Sequence, residues 1–258
     1  MYRFTTSEYK LSTDRFDRHL CFAVVSDLHS GSKTVIADMI NAVKQRDPDF
    51  VLMPGDIFEK LDGSFPERKN AGFELIAALS QICPVFMSIG NHENGGRGSW
   101  NVIKWSRRKS LPCVLDASEL DMIFDCGATL LDDGYVIVDG IAFGGLSSGL
   151  INEKRMPDTA WLDGFCELDV PKVLLCHHPE YYPKYLKGRE IDLIVSGHAH
   201  GGQWRFFGRG VFAPGQGIFP KYTSGVHDGR LVISRGLNPS GRIPRIFNTP
   251  EIVFVTVG

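Results

Sequence analysis

Five short clusters hold most of the side chains in this sequence that could do chemistry. They are Asp27-x-His29, Gly55-Asp56, Gly90-Asn91-His92-Glu93, His177-His178-Pro179 and Gly197-His198-Ala199-His200. Together they offer carboxylate, imidazole and amide groups, with no cysteine among them. Mixed nitrogen and oxygen donors of this kind suit Mn, Fe, Zn or Co rather than a Cys-rich structural zinc site. The number of donors implies two ions. Side chains alternate along an extended strand end, so Asp27 and His29, two apart, can grip the same ion. His198 and His200 form a second chelating pair with the same spacing. Each cluster taken singly also has an ordinary reading, as a turn carboxylate, a plain Gly-Asp turn or a core histidine. The specificity lies in the joint pattern, because each polar cluster follows an expected strand.

Those strands are what must position the clusters. Residues 21–25 read as a buried strand that stops at Ser26-Asp27, and Val35, Ile36, Met39, Ile40 and Val43 then recur at helical spacing. Residues 50–53 read as a second strand before Pro54-Gly55-Asp56, residues 73–79 as a helix, and residues 85–89 as a third strand. The second half repeats the device: residues 173–176 lead into His177, and residues 191–195 into Ser196-Gly197-His198. Residues 135–138 and 141–143 predict a hairpin turning at Asp139-Gly140. The Gly- and Pro-rich tail, with strand-like runs up to residues 252–257, suggests a second sheet. Alternating strands and helices predict an α/β chain with a largely parallel sheet and a site at its carboxyl ends. No repeat or linker interrupts the pattern, so one domain is expected over residues 1–258.

Composition narrows the class. The chain has 258 residues, 43% hydrophobic and 22% charged, which is ordinary for a folded protein. Its 28 Lys and Arg against 30 Asp and Glu leave a formal net charge of -2, too balanced for a general nucleic-acid binder. Six scattered cysteines without a C-x-x-C pair argue against a zinc ribbon or a disulfide framework and fit reduced thiols. No apolar run approaches the length of a transmembrane segment, and residues 1–13 lack the apolar centre of a signal peptide. A cytoplasmic location is expected.

In order and spacing, the five clusters resemble the signature of calcineurin-like metallophosphoesterases. Residues 26–31, 196–203, 234–237 and 250–252 are also similar to the bacterial YkuE/YaeI-type phosphodiesterase subgroup. The resemblance implies an α/β fold in which a two-sheet β-sandwich is flanked by helices, with a dinuclear metal centre at the strand ends. It implies that Asp27, His29 and His200 hold one ion, that Asn91, His177 and His198 hold the other, and that Asp56 bridges them. The family's His-x-Pro spacing selects His177 over its neighbour His178. His92 then becomes the general acid or oxyanion donor, with Glu93, at a position often Asp in the family, orienting its imidazole. The implied cofactors are two divalent or trivalent ions, Mn, Fe or Zn. The implied reaction is hydrolysis of a phosphodiester or pyrophosphate bond by a metal-bridging hydroxide, on a phosphorylated small-molecule or lipid-like substrate. Alternatives are a phosphomonoesterase, a nucleotide phosphodiesterase, or a catalytically inactive partner-binding scaffold of the same fold.

Two further segments bear on the substrate. Arg97, Trp100, Lys104, Trp105, Arg107, Arg108 and Lys109 form a basic-aromatic stretch in a near-neutral chain. It reads as a cap over the site, as a peripheral membrane contact, or as a solvated helix with its Trp residues packed inward. Trp204-Arg205-Phe206-Phe207 reads equally as an apolar rim or as a core hairpin.

Overall fold

The computed structural model describes residues 4–29, 33–58, 66–93, 115, 117–149, 156–238 and 244–258. The basic-aromatic stretch at 97–109 lies outside them. In chain order the strands are β1 (Thr5–Leu11), β2 (Leu20–Val24), β3 (Phe50–Met53), β4 (Val85–Ser88), β5 (Ala128–Leu131), β6 (Gly134–Val138), β7 (Ile141–Leu146), β8 (Lys172–Cys176), β9 (Leu193–Ser196), β10 (Arg205–Phe206), β11 (Arg209–Gly210), β12 (Phe212–Ala213), β13 (Gly217–Ile218), β14 (Gly225–His227), β15 (Leu231–Ile233) and β16 (Glu251–Val257). The helices are α1 (Lys33–Arg46), α2 (Pro66–Ser80), α3 (Ala117–Asp125) and α4 (Leu162–Cys166).

Two six-stranded sheets form the centre, ordered β1-β16-β2-β3-β4-β5 and β14-β15-β9-β8-β7-β6. The run β2-β3-β4-β5 is parallel, as is β7-β8-β9-β15. Period-two alternation explains the layering. Phe22, Val24, Phe50, Leu52 and Phe86 of the first sheet share one core with Phe143, Val173, Leu175, Leu193 and Val195 of the second. The intervening residues Ala23, Val51, Met53, Val85 and Met87 face away and pack with Val35, Ile36, Met39 and Val43 of α1 and with residues of α2 and α3. On the far side, Leu174, Cys176 and Ile194 pack with Leu162 and Phe165 of α4. The layers are therefore helix, sheet, sheet, helix, the sandwich that the resemblance implied.

The hairpin forms as expected between β6 and β7, with Asp139 and Gly140 both at positive φ, 50° and 75°. The tail corrects the sequence reading. β14 and β15 do extend the second sheet, but β16 enters the first, parallel to β1 and antiparallel to β2. β1 itself, Thr-Thr-Ser-Glu-Tyr-Lys-Leu, gave no strand signal because an edge strand needs few buried side chains.

Candidate metal centre

The carboxyl ends of β2, β3, β4, β8 and β9 deliver the five clusters to one place. Asp27 and His29 follow β2, Asp56 follows β3, Asn91 to Glu93 follow β4, His177 follows β8, and His198 and His200 follow β9. Asp27, His29, Asp56, Asn91, Glu93, His177 and His198 are all buried. The loops that carry them are tight. Asp27, His29, Asp56, His198 and His200 have φ of 53°, 48°, 54°, 64° and 45°, a left-handed backbone costing roughly 1–2 kcal/mol per non-glycine residue. Such conformations cluster where function needs a side chain aimed against local preference. Glycine makes the close approach possible at two of these turns. A Cβ at Gly90 would fall 2.3 Å from Asp56 Oδ1, and one at Gly197 would fall 2.3 Å from Asp27 Oδ2.

Four donor atoms converge on one side. His29 Nε2 lies 3.3 Å from His200 Nε2, 3.8 Å from Asp27 Oδ1 and 3.7 Å from Asp56 Oδ2, and His200 Nε2 lies 3.6 Å from Asp27 Oδ1. Ligands about 2.1 Å from one tetrahedral ion stand about 3.4 Å apart, so these spacings fit a single metal. On the other side His177 Nε2 comes within 3.0 Å of the same Asp56 oxygen, and His198 joins them within ligating reach. His177 Nδ1 is 2.9 Å from the carbonyl of Pro54, which can only accept, so that nitrogen carries a proton. Its Nε2 is buried, faces the Asp56 oxygen at 3.0 Å and has no other partner among the described residues. An orphaned imidazole nitrogen beside a carboxylate oxygen is what a cation would join. The donor set thus fits a metal on each side of Asp56.

The electrostatics agree. Burial pushes His29 down to about 3 and holds His198 and His200 well below the ordinary imidazole range, which leaves three neutral rings with lone pairs. Burial would raise Asp56, yet His177, His92 and His29 together hold it well below the usual carboxylate range. Burial would lower His177, but Asp56 and Asp27 carry it up to about 9. His177 supplies the positive charge that Asp56 needs, a service a metal ion would take over. Burial raises Asp27, whose oxygens are held by the Ser26 hydroxyl at 2.7 Å and the His198 amide at 3.0 Å.

His92 sits at the mouth. Its amide donates to Asp56 Oδ1 at 2.8 Å, and its ring packs edge-on against His29 with centroids 4.3 Å apart. Glu93 is fully buried and accepts the amides of Asp56, Gly90 and Phe58 at 2.8, 2.9 and 2.9 Å. Burial and Asp56 push it up to about 7 against those donors. His92 Nδ1 makes no hydrogen bond, so the orienting contact implied for Glu93 is not made at that nitrogen. Sequence reasoning missed Glu180. Its Oε1 lies 3.1 Å from His178 Nδ1 and 3.7 Å from His198 Nε2, and the two histidines hold it down to about 2 against burial. An acid two residues after His178, across Pro179, was the available signal. Arg245, whose Nη2 lies 3.2 Å from His200 Nδ1, had none.

Residues 21–202 match the family model described as calcineurin-like phosphoesterase, well over half of the chain. The chain belongs to that family. A putative metallophosphoesterase of Caenorhabditis elegans is 25% identical over 93% of this chain and 48% of its own length. An uncharacterized metallophosphoesterase of Aquifex aeolicus is 25% identical over 99% of this chain and 92% of its own. Phosphodiesterase YaeI of Escherichia coli is 23% identical over 70% of this chain and 60% of its own. The chain thus spans about half the length of the nematode relative. Among solved structures, a dimetal phosphatase of Danio rerio covers 84% of this chain and 88% of its own, at 12% identity and a TM-score of 0.48. No helix among the described residues is long and apolar enough to cross a membrane.

Proposed function

We propose that this metallophosphoesterase hydrolyses a phosphodiester or pyrophosphate bond at a dinuclear metal centre. The observation that carries the reading is the position of Asp56, one oxygen of which lies 3.7 Å from His29 Nε2 and 3.0 Å from His177 Nε2. A carboxylate has two oxygens and a negative charge to share between both sides, where an amide has one neutral oxygen and a neutral imidazole one free nitrogen lone pair. Asp27, His29 and His200 would hold one ion, and Asn91, His177 and His198 the other. Two such ions, when bound, neutralise phosphoryl charge and supply a nucleophile at neutral pH. The protein's own part is to keep three imidazoles neutral by burial, to place two carboxylates out of water, and to aim His92 at the open side. From there His92 can give a proton to the leaving oxygen. The name of the Escherichia coli relative supports a diester over a monoester, and a phosphorylated small molecule or lipid-like compound fits as substrate.

Elemental analysis of Mn²⁺-loaded protein, combined with hydrolysis of bis(p-nitrophenyl) phosphate and p-nitrophenyl phosphate, tests the reading. Two ions per chain and faster diester than monoester turnover are expected. Asp56→Asn should weaken both ions, and Asp27→Asn chiefly one. Saturable binding of one ion, or intact loading in Asp56→Asn, overturns the bridge. Turnover of the monoester alone overturns the substrate class.

A further inference from the structure

Beside the donor cluster, two turns hold phenylalanines out into solvent. The β10–β11 hairpin sets Phe206 opposite Arg209 and turns at Phe207-Gly208, and a second turn carries Ile246-Phe247. Phe206, Phe207 and Phe247 are 49%, 106% and 79% exposed. The rings of Phe206 and Phe247 meet edge-on at 5.9 Å and, with Phe207, Arg205 and Gly208, line one open depression. Of the two readings open for residues 204–207, the apolar rim is the one Phe206 and Phe207 adopt.

The backbone makes this arrangement costly. Phe207 and Phe247 have φ of 51° and 52°, a region that glycine or asparagine enters far more readily than a bulky aromatic. Neither side chain is buried in a core that would offset the strain. An apolar phase outside the chain would. Charge says which phase. The two segments that form these turns, residues 201–219 and 244–250, carry Arg205, Arg209 and Arg245 and no acidic residue, in a chain whose formal net charge is -2. Arg209, exposed and directly across the hairpin from Phe206, puts a guanidinium at the level of the rings. The three rings form a small projecting cluster on two neighbouring turns, a shape suited to entering a fluid layer.

We propose that Phe206, Phe207 and Phe247, with Arg209, dock this protein on the surface of an anionic phospholipid bilayer. The rings enter below the headgroups while the arginine meets lipid phosphate. The same turns are tied to the centre: Asn248 Nδ2 donates to the His200 carbonyl at 2.7 Å, and Arg205 Nη1 to the Gly201 carbonyl at 2.8 Å. Docking would hold His200 and its neighbours close to the lipid surface, whatever reaction they perform.

Co-sedimentation with vesicles tests the proposal without using activity. The full chain should pellet with vesicles of phosphatidylcholine and phosphatidylglycerol, much less with phosphatidylcholine alone, and less in high salt. Phe207→Asn with Phe247→Asn should lower binding about tenfold or more, and Arg209→Glu about fivefold or more. Because asparagine suits the left-handed backbone, the double variant should melt no lower than the parent chain. The proposal is overturned if the parent chain does not pellet, if it pellets equally with neutral vesicles, or if the variants bind as it does. It is also overturned if the double variant converts a dimer to a monomer with no vesicle binding by either, since the surface would then belong to a second copy.

Discussion

His92 differs from the other imidazoles around Asp56 in its access to solvent. Its side chain is 22% exposed, against 0–14% for His29, His177, His198 and His200. A group that gives up a proton to a departing substrate needs that access, and a ligand does not. His92→Asn should therefore retain both metals by elemental analysis while losing about two or more orders of magnitude in turnover, the usual size of a lost acid or oxyanion donor. Metal loss in that variant would make His92 a ligand instead. The candidate ligands were legible in the sequence because strand ends bring them together and few residue types can bind a metal. The tasks of Glu93 and Glu180 were not legible. Glu93 holds amides at positions 56, 58 and 90, and Glu180 meets a histidine 18 residues on, so both roles exist only once the loops have folded.

At the scale of elements, the turns after the strands carry as much of the site as the ligands do. Gly197 has an ordinary backbone conformation, yet a Cβ there would press on Asp27 Oδ2 at 2.3 Å. Gly197→Ala should cost roughly 1–3 kcal/mol by overpacking and displace Asp27, read as lower stability in urea together with weaker metal binding. Gly164, in α4, has nothing within 4 Å of its missing Cβ among the described residues. Gly164→Ala should be neutral or stabilising by up to about 1 kcal/mol and leave metal binding alone, since alanine favours a helix. Equal effects of the two would remove the steric account of the Gly197 turn. Strands buried on both faces, such as Phe50–Met53, were readable as continuous apolar runs, whereas β1 was not, because its side chains alternate between solvent and partial cover.

Across the whole molecule, the two sheets meet through aromatic rings. Phe86 of one stacks on Phe143 of the other at 4.0 Å, and Phe50 lies 5.0 Å from the same ring. Phe143→Ala, at a position with no solvent exposure, should cost about 3–5 kcal/mol. If the sheets share one core, far-UV dichroism and aromatic fluorescence should report a single earlier transition, and two separated transitions would show that they fold apart. The placement of β16 bears on how such a core can arise. Among the described strands β1 pairs only with β16, and β2 has β16 along one of its edges. Until residues 251–257 have left the ribosome, Leu20–Val24 has an apolar, unpaired edge and Thr5–Leu11 has no described strand to pair with. A chain that stops short of residue 251 therefore keeps an open, adhesive sheet edge at Leu20–Val24, a template for pairing with other chains.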